Sequence, residues 1–182
     1  MEENPDARIV EMDTVYNDVS NGPFIQTFKF LQYDLLICIY HESKTTDEML
    51  RGILLLEQYL GPDIFNAEVE VLLTDRGSEF VSASEAEYRE DGSRRTRVYY
   101  CDSMCSWQKG SLENVHLLLR EICPNKTDLY ALGLTSQEKA NIISSHINSY
   151  PKKKLKGKSS FQLLQFINPD MADRLYQAGL FV

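Results

Sequence analysis

The chain has 182 residues, a hydrophobic fraction of 43% and a formal net charge of −8 at pH 7. This length suits one well-buried domain, and no apolar run reaches the roughly 18 residues that a membrane-spanning helix requires. The N-terminal segment, MEENPDAR, is acidic and lacks the apolar stretch of a secretory signal. The sequence therefore predicts a cytoplasmic protein without a membrane partner.

In chain order, the first half predicts strands at 7–16, 24–32 and 34–42, because these segments are rich in β-branched and aromatic residues. A helix at 47–60 ends at Gly61-Pro62, and an apolar strand at 67–75 follows it. The remaining predicted elements are a helix at 77–90, a loop at 91–95, a strand at 96–102 and helices at 111–122, 135–150, 159–166 and 169–178. Thr135 and Glu138 have the spacing of a capping box.

The order β-β-β-α-β-α-β-α, followed by more helices, predicts an α/β fold: a mixed sheet with helices on its faces. Residues 1–150 form the predicted core domain, and residues 151–182 form an appended basic segment with two short helices. In sheets of this kind, functional sites gather where strands end and helices begin.

The charge is distributed unevenly along the chain. Residues 1–149 carry 13 lysines and arginines against 25 acids, whereas residues 150–182 carry 6 against 2. Five of these six cations lie in KKKLKGK: Lys152, Lys153, Lys154, Lys156 and Lys158. This run is either a solvated loop or a contact surface for a polyanion.

The four cysteines, Cys38, Cys101, Cys105 and Cys123, form no CxxC pair. No second Cys/His pair follows at zinc-finger spacing. Reduced and mostly buried thiols are therefore predicted, rather than a zinc site.

Two aspartates occupy unusual positions in predicted strands. Asp75 lies where an apolar strand ends, so it either projects into a crevice or starts a turn. Asp13 lies inside a strand, where aspartate is disfavoured, so it either meets a cation or faces solvent on an edge strand. Glu11 shares a strand face with Asp13 and is a rival candidate.

Glu113 lies in the first turn of the helix predicted at 111–122, where the helix dipole favours a negative charge. His116 and Arg120 follow it on the same face at i+3 and i+7. The opposite side is an apolar stripe of Leu112, Val115, Leu118, Leu119 and Ile122. The polar face is either solvated or aligned with a phosphate backbone.

Four segments together resemble one known family. They are MDTV (12–15), DRGSEF (75–80), CSWQKGSLEN (105–114) and NSYPKKKLKG (148–157), and ESKTTDEM (42–49) adds a fifth similarity. In this order they resemble the core of bacterial DDE transposases of the insertion-sequence-thirty type, over about residues 8–165. The block around Trp107 and Gln108 is the most specific of them.

The resemblance implies an RNase H-like integrase catalytic core with Asp13, Asp75 and Glu113 as the catalytic, metal-binding triad. Three converging carboxylates need cations between them, and two Mg²⁺ or Mn²⁺ ions suit such ligands. The implied reactions are phosphodiester hydrolysis at element ends and transfer of the freed 3′-OH to target DNA. The implied DNA contacts are Lys109, His116, Arg120 and the five lysines of the basic run. The expected partners are DNA and further copies of the chain, and the expected location is the bacterial cytoplasm, at the nucleoid when bound to DNA.

Three positions depart from the family pattern: Met12, Arg76 and Ser106 stand where the family has Gly, Asn and Pro. Arg76 matters most because a fixed cation beside Asp75 competes with a metal for its charge. A repurposed DNA- or protein-binding relative without catalysis therefore stays open, as does another RNase H-like nuclease. The 12 residues before Asp13 leave no room for the family's N-terminal end-recognition region.

Overall fold

The computed structural model describes residues 7–16, 22–75, 83–101, 110–124 and 127–180. Five strands form one sheet in the order β3-β2-β1-β4-β5. Their bounds are β1 (Ile9–Val15), β2 (Phe24–Phe30), β3 (Leu35–His41), β4 (Val71–Thr74) and β5 (Arg97–Tyr100). The first three strands pair antiparallel, whereas β4 and β5 run parallel to β1. The predicted mixed sheet is thus confirmed.

β1 is the central strand of this sheet, with β2 on one side and β4 on the other. Asp13 therefore does not lie on an edge strand, and that alternative was wrong. The error arose because the alternation of polar and apolar residues in β1 is also typical of an edge strand with one solvated face.

Seven α-helices surround the sheet within the described residues. They are α1 (Thr46–Leu60), α2 (Pro62–Glu68), α3 (Ala83–Glu87), α4 (Gly110–Ile122), α5 (Gln137–Ser149), α6 (Ser160–Ile167) and α7 (Pro169–Gln177). One face of the sheet packs against α1, α2, α6 and α7 through buried side chains such as Met12, Ile53 and Leu175. The other face packs against α4 and α5 through Ile25, Leu119 and Ile147.

Two predicted elements were wrong in extent. The strand predicted at 67–75 begins only at Val71, because α2 occupies Pro62–Glu68. Gly61-Pro62 ends α1 and also starts α2, since Gly61 adopts a φ of 77° and proline is favoured in a first helical turn. Within the described part of the predicted 77–90 helix, only 83–87 is helical, because Arg95 binds the carbonyls of Glu85, Ala86 and Tyr88.

Side chains of α5 cover the outer edge of β3. Asn148 accepts a hydrogen bond from the Leu36 amide at 2.9 Å and donates one to the Leu36 carbonyl at 2.6 Å. Ser144 accepts from the Cys38 amide, and Gln137 bonds the Tyr40 amide and the Cys38 carbonyl. An uncovered strand edge pairs readily with other chains, so α5 closes this side of the sheet.

The capping box predicted for α5 was wrong. Ser136 is the N-cap and makes no side-chain capping bond, so Glu138 does not occupy the third helical position that the motif requires. The N-cap lies one residue later than predicted, and α5 begins at Gln137, whose side-chain amide reaches β3.

The C-terminal segment packs onto the same body. Leu164 of α6 and Met171 of α7 are fully buried in the cluster that contains α1. The division of the chain at residue 150 stays a prediction. The described cysteines, Cys38, Cys101 and Cys123, are buried, as predicted, while Cys105 lies outside the described residues. Among the helices that the structure describes, none is both long and apolar enough to span a membrane.

Candidate active site

Asp13 lies in β1, and Asp75 directly follows the neighbouring strand β4. β1 and β4 pair in parallel with Val10 opposite Leu72 and Glu11 opposite Leu73. Continuing this register by two residues sets Asp75 opposite Asp13. Strands in a sheet lie about 4.8 Å apart and residues two apart share a face, so the register directs both carboxylates to the same side of the sheet.

The surroundings of the two carboxylates differ. Asp13 is half-buried, and its Oδ1 accepts a hydrogen bond from the Thr14 amide at 2.8 Å, which restricts the orientation of the carboxylate. Asp75 is exposed just beyond the end of β4. The Asp13 carboxylate is thus held in one orientation, whereas Asp75 is accessible just beyond the end of β4.

The helix α4 lies across the sheet face that carries Asp13. Its residues Val115 and Leu119 are buried against Val15 and Ile25, so the part of the predicted apolar stripe that the structure describes is confirmed. Glu113 lies in the first turn of α4, as predicted, and its side chain is outside the described residues.

Two polar side chains of α4 bind the strands near Asp13. The Nε2 atom of His116 lies 3.1 Å from the hydroxyl of Thr27, which is the cross-strand partner of Asp13. Arg120 donates a hydrogen bond to the carbonyl of Tyr16 at 3.2 Å, three residues beyond Asp13. Both contacts come from side chains four residues apart on α4, and both reach backbone or side-chain groups near Asp13, on β2 and directly after β1.

Sequence reasoning missed a second cation at this end of β1. The ammonium of Lys44, in the loop before α1, lies 4.3 Å from the centre of the Tyr16 ring. Tyr16 therefore contacts both Lys44 and Arg120, which we call the β1-end cations. The sequence signal was the similarity of ESKTTDEM to the family, but it assigned no role to Lys44.

The basic run has a more internal location than its composition indicates. The carboxylate of Asp34, in the turn between β2 and β3, binds Lys29, Lys152 at 3.0 Å and Lys154 at 2.7 Å. We call these four residues the Asp34 cluster. The side chain of Lys29 is fully buried, that of Lys152 is 11% exposed and that of Lys154 is 59% exposed. The contacts of Lys152 and Lys154 with DNA stay predictions, as do those of the exposed residues Lys153, Lys156 and Lys158.

Burial and charge together shift the titration of the Asp34 cluster. Burial, followed by repulsion from Lys152, lowers the pKa of Lys29 to about 7. Burial alone would raise the pKa of Asp34, but attraction to Lys29 and hydrogen bonds from all three lysines lower it to about 2.

Glu11, the rival candidate to Asp13, is buried on β1, two residues before Asp13. In the register of β1 with β2, Glu11 pairs with Lys29, whereas Asp13 pairs with Thr27.

Several predicted residues lie outside the described part of the chain: Arg76, Trp107, Gln108 and Lys109. Among the described residues, no group of three or more His, Cys, Asp or Glu side chains lies close enough to hold a metal ion. The Glu113 side chain is not among these described residues. Carboxylates such as those of Asp13 and Asp75 are hard oxygen donors, which Mg²⁺ and Mn²⁺ prefer.

The fold is that of integrase catalytic cores, which are RNase H-like. The catalytic core of bovine immunodeficiency virus integrase superposes with a TM-score of 0.57 at 17% identity, covering 86% of this chain and 92% of that one. The core of HTLV-2 integrase in complex with magnesium, in a trimeric form, gives a TM-score of 0.52 at 16% identity and covers 86% and 95%. At these identities the likeness shows the fold alone.

Closer relatives in sequence are bacterial transposases. The transposase for insertion sequence element IS1086 from Cupriavidus metallidurans is 34% identical over 106 residues, which cover 58% of this chain and 29% of that protein. The transposase InsI for insertion sequence element IS30A from Escherichia coli is 32% identical over 94 residues, which cover 52% and 23%. These relatives confirm the resemblance to transposases of the insertion-sequence-thirty type. The matched part spans less than a third of their length, and no protein-family model matches the chain.

Proposed function

We propose that this chain is the catalytic core of a DDE transposase, with Asp13, Asp75 and Glu113 as its catalytic triad. The observation that supports the proposal is the parallel register of β1 with β4, which pairs Glu11 with Leu73 and, if continued by two residues, would set Asp75 opposite Asp13. The first turn of α4 supports it, because the next turn of that helix is bonded to the cross-strand partner of Asp13.

The three carboxylates would hold two Mg²⁺ or Mn²⁺ ions, which supply activation of the attacking oxygen and stabilisation of the leaving oxygen of a phosphodiester when bound. The chain's own part is to hold those carboxylates in place. Asp13 is fixed by its bond from the Thr14 amide and by its place in the central strand. Asp75, which is exposed, is accessible to the DNA side of the site.

The reactions we propose are hydrolysis at element ends and transfer of the 3′-OH to target DNA, in the bacterial cytoplasm and at the nucleoid. Arg120 and His116 lie on the α4 face toward Asp13, where cations and donors meet phosphates. Lys109 and the exposed lysines of the basic run extend the proposed DNA contacts. We further propose that the chain acts as a dimer or larger assembly, because insertion requires two element ends to be joined at one target.

The test compares Glu113→Gln with Glu121→Gln, which changes an exposed acid on the same helix. We expect the purified chain to nick supercoiled plasmid DNA with Mn²⁺, Glu113→Gln to abolish nicking and Glu121→Gln to retain it. Circular dichroism melting checks that both variants fold. Full activity of Glu113→Gln would remove Glu113 from the site.

Arg76 favours a second candidate function, a relative that binds DNA without cutting it, because a cation adjacent to Asp75 competes with a metal ion. Titration of Mn²⁺, followed by the paramagnetic resonance of the free ion, distinguishes the two. Tight binding that is lost in Asp13→Asn and Asp75→Asn supports catalysis. DNA binding without any such Mn²⁺ site supports the second candidate.

A further inference from the structure

The hydroxyl of Thr27 lies between the catalytic candidate Asp13 and the helix α4. Thr27 is fully buried on β2, directly opposite Asp13. Its Oγ1 atom donates a hydrogen bond to the backbone carbonyl of Asp13 at 3.2 Å. The Nε2 atom of His116 lies 3.1 Å from Thr27 Oγ1. One side chain thus joins the strand that carries Asp13 to the helix that carries Glu113.

The donor and acceptor roles follow from counting protons. A threonine hydroxyl has a single proton and two lone pairs, and here the proton is given to Asp13. The contact between His116 and Thr27 is therefore a bond in which Nε2–H donates to the hydroxyl oxygen. The imidazole must carry a hydrogen on Nε2, and each polar atom along the bridge has a partner.

The hydrogen bonds of this bridge are directional, whereas the apolar contacts of α4 are not. Val115 and Leu119 hold the helix on the sheet by burial, which is non-directional and permits small shifts along the surface. A buried hydrogen bond has a preferred length and angle. Because His116 lies three residues after Glu113, and a helix rises 1.5 Å per residue, fixing His116 also fixes the turn that presents Glu113.

We infer that the His116–Thr27–Asp13 bridge sets the position of the first turn of α4 against β1, and that His116 and Thr27 are positioning residues for the carboxylate triad. This inference rests on the proposed function in one respect, the role of Glu113 as a metal ligand. The positioning role of His116 is separate from its proposed contact with DNA, because the described bond points into the sheet. In metal sites, partners that orient the ligands affect metal affinity by about 10–100-fold.

The first experiment compares Thr27→Val, which keeps the shape but removes the hydroxyl, with Thr27→Ser, which keeps the hydroxyl. The destabilised control is Ser144→Ala on α5, which removes the buried hydroxyl that accepts a hydrogen bond from the Cys38 amide on β3. We expect Thr27→Val to raise the half-saturating Mn²⁺ concentration about tenfold or more. Thr27→Ser and Ser144→Ala are expected to stay within about twofold of the unsubstituted chain.

The second experiment measures the mobility of α4 and requires neither a metal ion nor enzymatic activity. Amide hydrogen exchange in α4, measured by mass spectrometry without added cations, is expected to speed up in Thr27→Val and in His116→Phe. It is expected to stay slow in Thr27→Ser, in Ser144→Ala and in His116→Gln, whose side-chain amide restores a donor.

The outcomes separate the inference from the proposed function. Unchanged α4 exchange in Thr27→Val overturns the bridge, whatever the metal result. Faster exchange with unchanged Mn²⁺ affinity overturns its link to the triad, while the proposed function stands. If Asp13→Asn and Glu113→Gln also leave Mn²⁺ binding unchanged, the proposed function fails, and the exchange data still decide whether the bridge fixes α4.

Discussion

The Asp34 cluster and the β1-end cations show two different uses of positive charge in this molecule. In the Asp34 cluster, two lysines of the basic run bind a buried carboxylate and join the C-terminal segment to the turn before β3. The β1-end cations, Lys44 and Arg120, are isolated in the sequence, yet both contact Tyr16 three residues from Asp13. The clustering of lysines along the chain therefore does not show which cations are bound within the fold, since two of the clustered lysines bind Asp34 and two isolated cations meet at Tyr16.

The largest effect that tests this comparison is expected from Asp34→Asn. Asparagine matches aspartate in shape and tolerates the left-handed conformation at this position, where φ is 53°. The change leaves three lysines around a neutral amide, and removal of one partner from a buried ion pair typically costs about 3–5 kcal/mol. Urea denaturation measures the loss. The control, Asp173→Asn on the exposed side of α7, is expected to stay within about 0.5 kcal/mol of the unsubstituted chain.

The second largest loss of stability is expected from breaking a contact between α5 and β3. The helix α5 directly precedes the basic run. Asn148→Leu leaves the amide and carbonyl of Leu36 without their side-chain partner. We expect the free energy of unfolding to fall by about 2–3 kcal/mol, measured by the same denaturation. Ser149→Ala, an exposed neighbour on the helix, is the control. Equal stability of the two variants would show that water replaces Asn148 at the strand edge.

The titration of Lys29 adds a pH dependence to the same cluster. Its pKa is about 7 in the folded chain, against a usual value of 10.5, so the unfolded chain binds more protons between these values. Stability therefore rises with pH across this window, by at most about 1.4 kcal/mol per unit, and is unaffected by Lys29 below it. Thermal melting from pH 6 to 10 is expected to show a flatter rise in Lys29→Met. If the stability of Lys29→Met rose with pH as steeply as that of the exposed control Lys139→Met, the pH dependence would not come from Lys29.

The smallest expected effect is on the salt dependence of DNA binding, and it compares the β1-end cations with the Asp34 cluster. If the β1-end cations meet DNA phosphates, Arg120→Gln and Lys44→Gln each lower the slope of log affinity against log salt by about 0.9. Lys152→Gln is expected to leave the slope unchanged because its ammonium binds Asp34 and Ser160. Fluorescence anisotropy with duplex DNA at several salt concentrations measures all three. An equal fall in Lys152→Gln would place the anchored part of the basic run on the DNA as well.

The structure also explains why one sequence motif carries two roles. NSYPKKKLKG begins with Asn148 at the edge of β3 and continues with Lys152 at the Asp34 carbonyl, 2.8 Å away. Both contacts join this segment to the sheet. The exposed lysines Lys153, Lys156 and Lys158 bind no carboxylate of the Asp34 cluster, and the DNA contacts of all five lysines stay predictions.

The sequence by itself determined where the strands and most of the helices lie, because hydrophobic period and turn residues act over short distances along the chain. The three candidate carboxylates followed as a triad only from the family resemblance. The sequence also determined that resemblance, since the blocks around Asp75 and Glu113 are local patterns. Its errors fell where contacts distant in sequence decide the outcome. Arg95 ends α3 early, and the register of β4 with β1 makes the strand of Asp13 a central one.

Only the tertiary structure decided which polar residues work together. No pattern along the chain indicates that Thr27 lies between His116 and Asp13, or that Asp34 gathers lysines from 118 and 120 residues away, because strand pairing and helix docking set those contacts. The physical reason is that a buried polar group must find its partner wherever packing places one. The sequence fixes which groups need partners, and the three-dimensional arrangement of strands and helices selects them.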